Sequence, residues 1–215
     1  AAALPGGRLT LEDSYAWSAF ARRVLETNDV DYRSRAASAE EASFLAAHVA
    51  GSGLGVTFTD LEFAPQVLLV DFEAEEEVGN VFLRLRKGVI AGRVKVATVA
   101  PFLTRGSAKM SAELVAAAPG AAPAALAGLT TTNPAVAEGL AQPGSVIVVG
   151  ERAALVPGTL SAVLSLAEST GARIAWIPRR AGERAAIEAG LLPTLLPGAR
   201  PVADAAARVD AESTW

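Results

Sequence analysis

Five carboxylates crowd into the stretch Asp71, Glu73, Glu75, Glu76 and Glu77. Acids at this density could hold a cation or turn an anion away. Glu75, Glu76 and Glu77 also fall where a helix would start, and the helix macrodipole favours negative charge there without any metal. Arg179, Arg180 and Arg184 form a second charged group, able to meet an anion at a strand end or to serve as surface ion pairs. The single histidine, His48, follows Phe44 and Leu45 at helical spacing, which predicts a partly buried helix residue. No serine has a base to activate it except through His48, so no nucleophile–base set is legible and no catalytic residue is expected.

Cysteine is absent, which removes disulfides, thiolate zinc sites and iron–sulfur ligation from this chain. With one histidine as well, no metal ligand set is expected, and the isolated chain is expected to be colourless. The 215 residues are 51% hydrophobic and 20% charged, with a formal net charge of -4. That composition suits a large core in one domain or two interlocked lobes. The mild acidity and the lack of a Lys/Arg cluster argue against nucleic acid as a partner. No apolar run approaches the roughly 20 residues of a membrane-spanning helix, so no membrane insertion is expected. The chain opens Ala-Ala-Ala-Leu-Pro-Gly-Gly and closes on Trp215, which leads to the expectation of a piece excised from something longer.

The elements that must position these charges follow from periodicity. Val67–Val70 is a continuous apolar run that suits a strand buried on both faces. Asp71–Ala74 then turns the chain. One helix follows, with Val78, Phe82 and Leu85 on its apolar face, Arg84, Arg86 and Lys87 near its end, and Gly88 placed to stop it. Further strands are expected at Val94–Val99, Ser145–Val149 and Arg173–Ile177. Thr10-Leu11-Glu12-Asp13 predicts a helix start, with Trp17, Phe20 and Val24 sharing a face, and Ser38-Ala39-Glu40-Glu41 predicts another. Gly51-Ser52-Gly53-Leu54-Gly55 leaves a helix for a strand expected at Val56–Phe58, the wrong context for a dinucleotide loop, and reads as a cap and flexible link. A short helix is expected around Ala108–Ala118, an unstructured connection at Pro119–Gly128, and a helix at Thr159–Ser169 closed by Gly171. Asn133-Pro134 reads as a cap followed by a first-turn proline.

Strands alternating with helices predict an α/β fold with doubly wound parallel sheets. Ligands in such sheets bind beyond the carboxyl ends of the strands. Here those positions are Asp71–Glu73, Ala100–Phe102, Gly150–Arg152 and Pro178–Arg180.

Several segments together resemble one family. Gly6-Gly7-Arg8-Leu9-Thr10-Leu11-Glu12-Asp13, continuing to Thr27-Asn28-Asp29-Val30-Asp31-Tyr32-Arg33-Ser34-Arg35, is similar to the G-x-R-x-T-N-E-[DE] … G-T-N-N-[VI]-D-x-x-[AS]-R signature of molybdopterin oxidoreductases. Gly190–Gly198 fits that family's G-x-x-P-x-x-x-P-G. Val67–Glu77 resembles the form found in the G-subunit family of bacterial NADH-quinone oxidoreductase, respiratory complex I. The resemblance implies formate dehydrogenase-type lobes: residues 1–39 and 130–215 in an outer lobe, and 40–129 inserted between them.

The resemblance also marks departures. Where active molybdopterin enzymes carry V-[IV]-D-P-R, this chain has Val99-Ala100-Pro101-Phe102. Where they carry G-x-N-P, it has Asp71-Phe72-Glu73-Ala74, and around the N-N-x-Q-G position it has Ala181-Gly182-Glu183-Arg184-Ala185. An acid beside a polyphosphate is penalised electrostatically. Asp71, Glu73, Ala100, Gly150 and Glu183 are therefore expected to be vestigial cofactor positions that bind none. By the same resemblance, the chain is a scaffold in the complex I peripheral arm, on the cytoplasmic face of the inner membrane. Its partners are the other peripheral-arm subunits, and iron–sulfur clusters lie elsewhere in the parent subunit. The competing reading is a module that still binds a nucleotide or pterin at its strand ends.

Overall fold

A computed structural model describes residues 1–53 and 55–215. Along the chain, α1 (Leu11–Arg23), α2 (Ala39–Phe44) and a π-helical turn at Leu45–Val49 precede α3 (Phe58–Phe63). Then come β1 (Gln66–Val70), α4 (Ala74–Glu77), α5 (Gly79–Ile90), β2 (Lys95–Ala100), α6 (Arg105–Lys109) and β3 (Glu113–Ala116). Three short helices, α7 (Ala122–Ala127), α8 (Leu129–Thr132) and α9 (Pro134–Leu140), lead to β4 (Val146–Gly150). A 3-10 turn at Glu151–Leu155, α10 (Thr159–Thr170) and β5 (Arg173–Ile177) follow. The chain closes with α11 (Glu183–Glu188), the strands β6 (Leu195–Leu196) and β7 (Arg200–Pro201), and α12 (Ala205–Thr214).

The chain divides into two contact units: Ala1–Gly53 with Pro178–Trp215, and Leu54–Ile177. In the second, five strands among the described residues form one parallel sheet in the order β3-β2-β1-β4-β5. Every residue of β1 and β4 is buried. Val67 and Leu69 pack with Leu61, Val81, Phe82 and Leu85 on one face. Strand alternation turns Leu68 and Val70 to the other, where α9 packs on β1 and α7 on β2 and α10. Helices on both faces of a parallel sheet whose order reverses at β1/β4 make the fold doubly wound. Of the five strands expected from sequence, those at Val67–Val70, Val94–Val99, Ser145–Val149 and Arg173–Ile177 are present. β4 pairs with β1 from Val67↔Val146 to Val70↔Val149, so strands on both sides of residue 129 belong to one sheet.

Several local expectations are corrected. The central helix is broken in two at Val78, whose φ of -144° and ψ of 85° are not helical. Gly88 does not stop it but lies buried inside α5. A Cβ there would stand 2.7 Å from the Glu62 carbonyl oxygen and 2.4 Å from Val94 Cγ2, so the glycine lets α5 approach its neighbours. Val56–Phe58 is not a strand, because Thr57 and Asp60 form a reciprocal capping box that starts α3. The expected helix at Ala108–Ala118 ends at Lys109, and Glu113–Ala116 instead pairs with β2. The Pro119–Gly128 connection contains α7, which buries Ala122 and Leu126. Asn133 gives α9 no side-chain cap; its amide donates to Glu113 Oε1 at 3.1 Å.

In the first unit, α1 starts as expected, with Thr10 Oγ1 accepting from the Asp13 N–H. Its buried face is Ser14, Ser18 and Ala21, whereas Trp17, Phe20 and Val24 are exposed. The small residues allow close packing, and Arg22 completes the seam. Its guanidinium donates to Ser18 Oγ, Asn28 Oδ1 and the carbonyls of Gly190, Leu192 and Leu195. Burial lowers its pKa to about 10.

Candidate functional site

The carboxyl ends of β1, β2 and β4 lie side by side, since Val70 pairs with both Val99 and Val149. This edge brings Asp71, Glu73, Ala100 and Gly150 into one region of the second unit. Glu183 belongs to the first unit.

At the point where the strand order reverses, the turn after β1 lies directly on the end of β4. A Cβ on Gly150 would stand 2.4 Å from the Asp71 carbonyl oxygen and 3.1 Å from Phe72 Cβ. Asp71 holds a left-handed backbone conformation, φ 48°, which aspartate tolerates better than most residues. Its Oδ2 is buried without a hydrogen-bond partner. Burial raises the Asp71 pKa, and the opposing charge of Arg152 offsets part of that rise.

Glu73 is turned under the start of α6. Its Oε2 accepts from Thr104 Oγ1, while its Oε1 is buried and unpartnered. A Cβ on Gly106 would press on that Oε1 and stand 2.8 Å from Glu75 Cβ, so glycine lets α6 lie close to the turn after β1. Glu75 pairs with Lys109. Glu77 pairs with Arg152 at 2.7 Å, and its Oε1 accepts from the Glu73 N–H, also at 2.7 Å. The expected row of unbalanced acids is thus partly neutralised in place. Thr104, Lys109 and Gly106 are the contacts that sequence reasoning did not assign, and Arg152, expected at a strand end, was not linked to Glu77; Thr104 could have been found as the cap of α6, whereas no local spacing links Glu75 to Lys109. Ala100 closes β2 half-buried and offers only a methyl group where an aspartate would accept hydrogen bonds.

Glu183 is not on the wall of an open cleft. It is buried, and its Oε2 accepts from the Arg179 N–H at 2.9 Å, at the start of its own helix. Arg184 pairs with Glu188 at 3.1 Å, the ion-pair use expected for it. The Gly51–Gly53 loop is held rather than loose: the Gly51 N–H donates to the Glu188 carboxylate at 3.1 Å, and Arg184 donates to Ser52 Oγ and the Gly53 carbonyl. Leu54, the next residue of the glycine-rich stretch, lies outside the described residues. His48 is exposed rather than partly buried, with its ring 5.8 Å from that of Phe44. Among the described residues, no three His, Asp or Glu side chains converge as metal ligands would. No helix of the described residues is long and apolar enough to cross a membrane.

Fold and strand order together define a doubly wound α/β protein. The chain is 58% identical over 212 residues to the G subunit of NADH-quinone oxidoreductase from Mycobacterium bovis, and equally to that from Mycobacterium tuberculosis. It is 52% identical over 232 residues to the protein of the same name from Streptomyces coelicolor. Each comparison covers 99% of this chain but only 26% to 28% of the relative, so the chain spans about a quarter of the proteins it resembles. No protein-family model matches it. The chain is homologous over nearly its whole length to a part of this G subunit.

Proposed function

We propose that the chain is a scaffold portion of a G subunit of NADH-quinone oxidoreductase. In this reading it sits in the peripheral arm on the cytoplasmic face of the membrane, packed against other peripheral-arm subunits. It supports electron transfer from NADH to quinone by position, carries no cofactor, and leaves iron–sulfur ligation to other parts of the parent protein. The observation that carries the reading is the contact of Gly150 with the Asp71 carbonyl. It occupies the strand-reversal point where doubly wound sheets bind ligands.

The charges there support the same reading. Asp71 and Glu73 each leave a buried carboxylate oxygen unpartnered, and a pyrophosphate beside them would meet like charge where it needs donors. A molybdopterin guanine dinucleotide therefore does not fit the residues present at this edge. Calorimetric titration with GTP, GDP and that dinucleotide is expected to give no dissociation constant below about 1 mM, equivalent to about -4 kcal/mol. Micromolar binding lost in Arg152→Ala would establish the nucleotide- or pterin-binding reading instead.

A further inference from the structure

We propose that the long outer edge of β5 is completed by an extended segment of the parent G subunit lying outside these 215 residues, added as a further strand of the sheet. The proposal rests on the reading of the chain as part of a G subunit and gives one of its contacts a chemistry.

In the order β3-β2-β1-β4-β5, β5 has a neighbour on one side only among the described residues. The Arg173 N–H donates to the Ser145 carbonyl at 3.0 Å, and the parallel register runs unbroken from Val146↔Arg173 to Gly150↔Ile177. Alternate residues of a parallel strand bond to the same neighbour. Arg173, Ala175 and Ile177 therefore turn their backbone groups to β4, and Ile174 and Trp176 turn theirs outward. The outward N–H and C=O groups of Ile174 and Trp176 have no hydrogen-bond partner among the described residues.

The two edges of the sheet are built differently. β3 is four residues long, and Glu113 and Ala116 at its ends are exposed. Short, charged strands protect an edge from pairing. β5 is longer by one residue, and after Arg173 its run Ile174-Ala175-Trp176-Ile177 is wholly apolar and half-buried. It carries no proline, bulge or inward charge to blunt it. Ala175 and Ile177 pack on the core of one face, which holds the strand extended before a partner arrives. The outward groups repeat donor and acceptor every second residue, about 6.8 Å apart. A polypeptide backbone is the ligand that matches this repeat.

Two outward residues offer too few bonds to hold a separate protein. A tethered segment escapes that limit, because its effective concentration reaches about the millimolar range. This chain covers only 26% to 28% of its relatives, and the remaining length of such a protein is covalently linked to β5.

The test compares amide hydrogen exchange in the isolated chain and in the complete G subunit carrying this sequence, read residue by residue by mass spectrometry with electron-transfer fragmentation. The Ile174 and Trp176 amides are expected to exchange fast in the chain and to slow by about a hundredfold or more in the complete subunit. Ala175 and Ile177, bonded to β4, should be protected in both and so report an intact sheet. Ile174→Pro removes one outward donor at a position where an edge strand tolerates proline. It should leave the urea midpoint of the isolated chain near that of the unaltered chain, and should return Trp176 to fast exchange in the complete subunit. If the variant does not fold, the wild-type comparison decides alone. Equal exchange of Ile174 and Trp176 in chain and subunit would overturn the proposal, as would retained protection of Trp176 in the folded variant. So would protection that grows with the concentration of the isolated chain, which means a second copy on the edge. Protection that appears only when other subunits are added means a neighbouring chain and overturns it equally. None of these outcomes touches the nucleotide titration, which is read through Arg152 at the carboxyl ends of the strands.

Discussion

Asp71 bears two costs at once, a left-handed backbone and a buried carboxylate oxygen without a donor. Its pKa is raised above the value of about 4 that an unfolded aspartate shows. The stability that its protonated form contributes is therefore present below about pH 4 and is lost as pH rises through the raised folded value. Asp71→Asn keeps the tolerance for the left-handed conformation and removes the charge. It is expected to be more stable than the parent in urea unfolding at pH 7, with the gain shrinking as the pH is lowered toward 4. Destabilisation of the variant at pH 7 would mean that attraction to Arg152 outweighs burial. The acids of this site were legible one by one in the sequence. Their partners were not, because Glu75 meets Lys109 and Glu77 meets Arg152 only through the packing of elements distant in the chain.

At the scale of elements, α5 separates two readings of one glycine. If Gly88 were a helix stop in the left-handed conformation, alanine there would cost about 1–2 kcal/mol of backbone strain. Inside a helix it would instead help, by about 1 kcal/mol of propensity. The packing around Gly88 reverses the sign. The added methyl would press on the Glu62 carbonyl and on Val94, and overpacking of this kind costs about 1–3 kcal/mol. Gly88→Ala is therefore expected to lower the urea midpoint of unfolding, and an unchanged or raised midpoint would contradict the packing described. The same stretch anchors Glu62, a buried carboxylate served by Lys87, Arg84 and Arg93. In α1 the face that reads as apolar, Trp17, Phe20 and Val24, stays exposed, while serine and alanine are buried. Periodicity identifies a face, but close backbone approach selects small residues, and hydropathy does not report that choice.

At the scale of the whole molecule, the two contact units differ in how their chain is spent. Residues 54–177 are continuous, and their parallel sheet closes its own core. Made alone, that segment is expected to unfold cooperatively in urea with a mixed α/β circular dichroism spectrum. Residues 1–53 alone are expected to show no cooperative transition. Arg22 needs the carbonyls of Gly190, Leu192 and Leu195, and the Tyr32 N–H needs the Leu191 carbonyl, all supplied from beyond residue 177. A cooperative 1–53 fragment, or a non-cooperative 54–177 fragment, would refute this division.

The sequence by itself determined the fold class, the four longest strands of the parallel sheet and the likeness to the G subunit of NADH-quinone oxidoreductase. Each of these is written in local signals: unbroken apolar runs at Val67–Val70 and Ser145–Val149, turn residues between them, and motifs of fixed spacing. Tertiary structure alone decided what has no local signal. β3 is only four residues long and exists because β2 offers it an edge. Gly88, Gly106 and Gly150 are spaces reserved for atoms far away in the chain. The state of the strand edge belongs to this second kind. Counting acids there gives a charge; which are paired, which are buried and whether the crevice is open depend on loops brought together by the parallel register. Burial and pairing act through distance in space, and distance along the chain does not encode them.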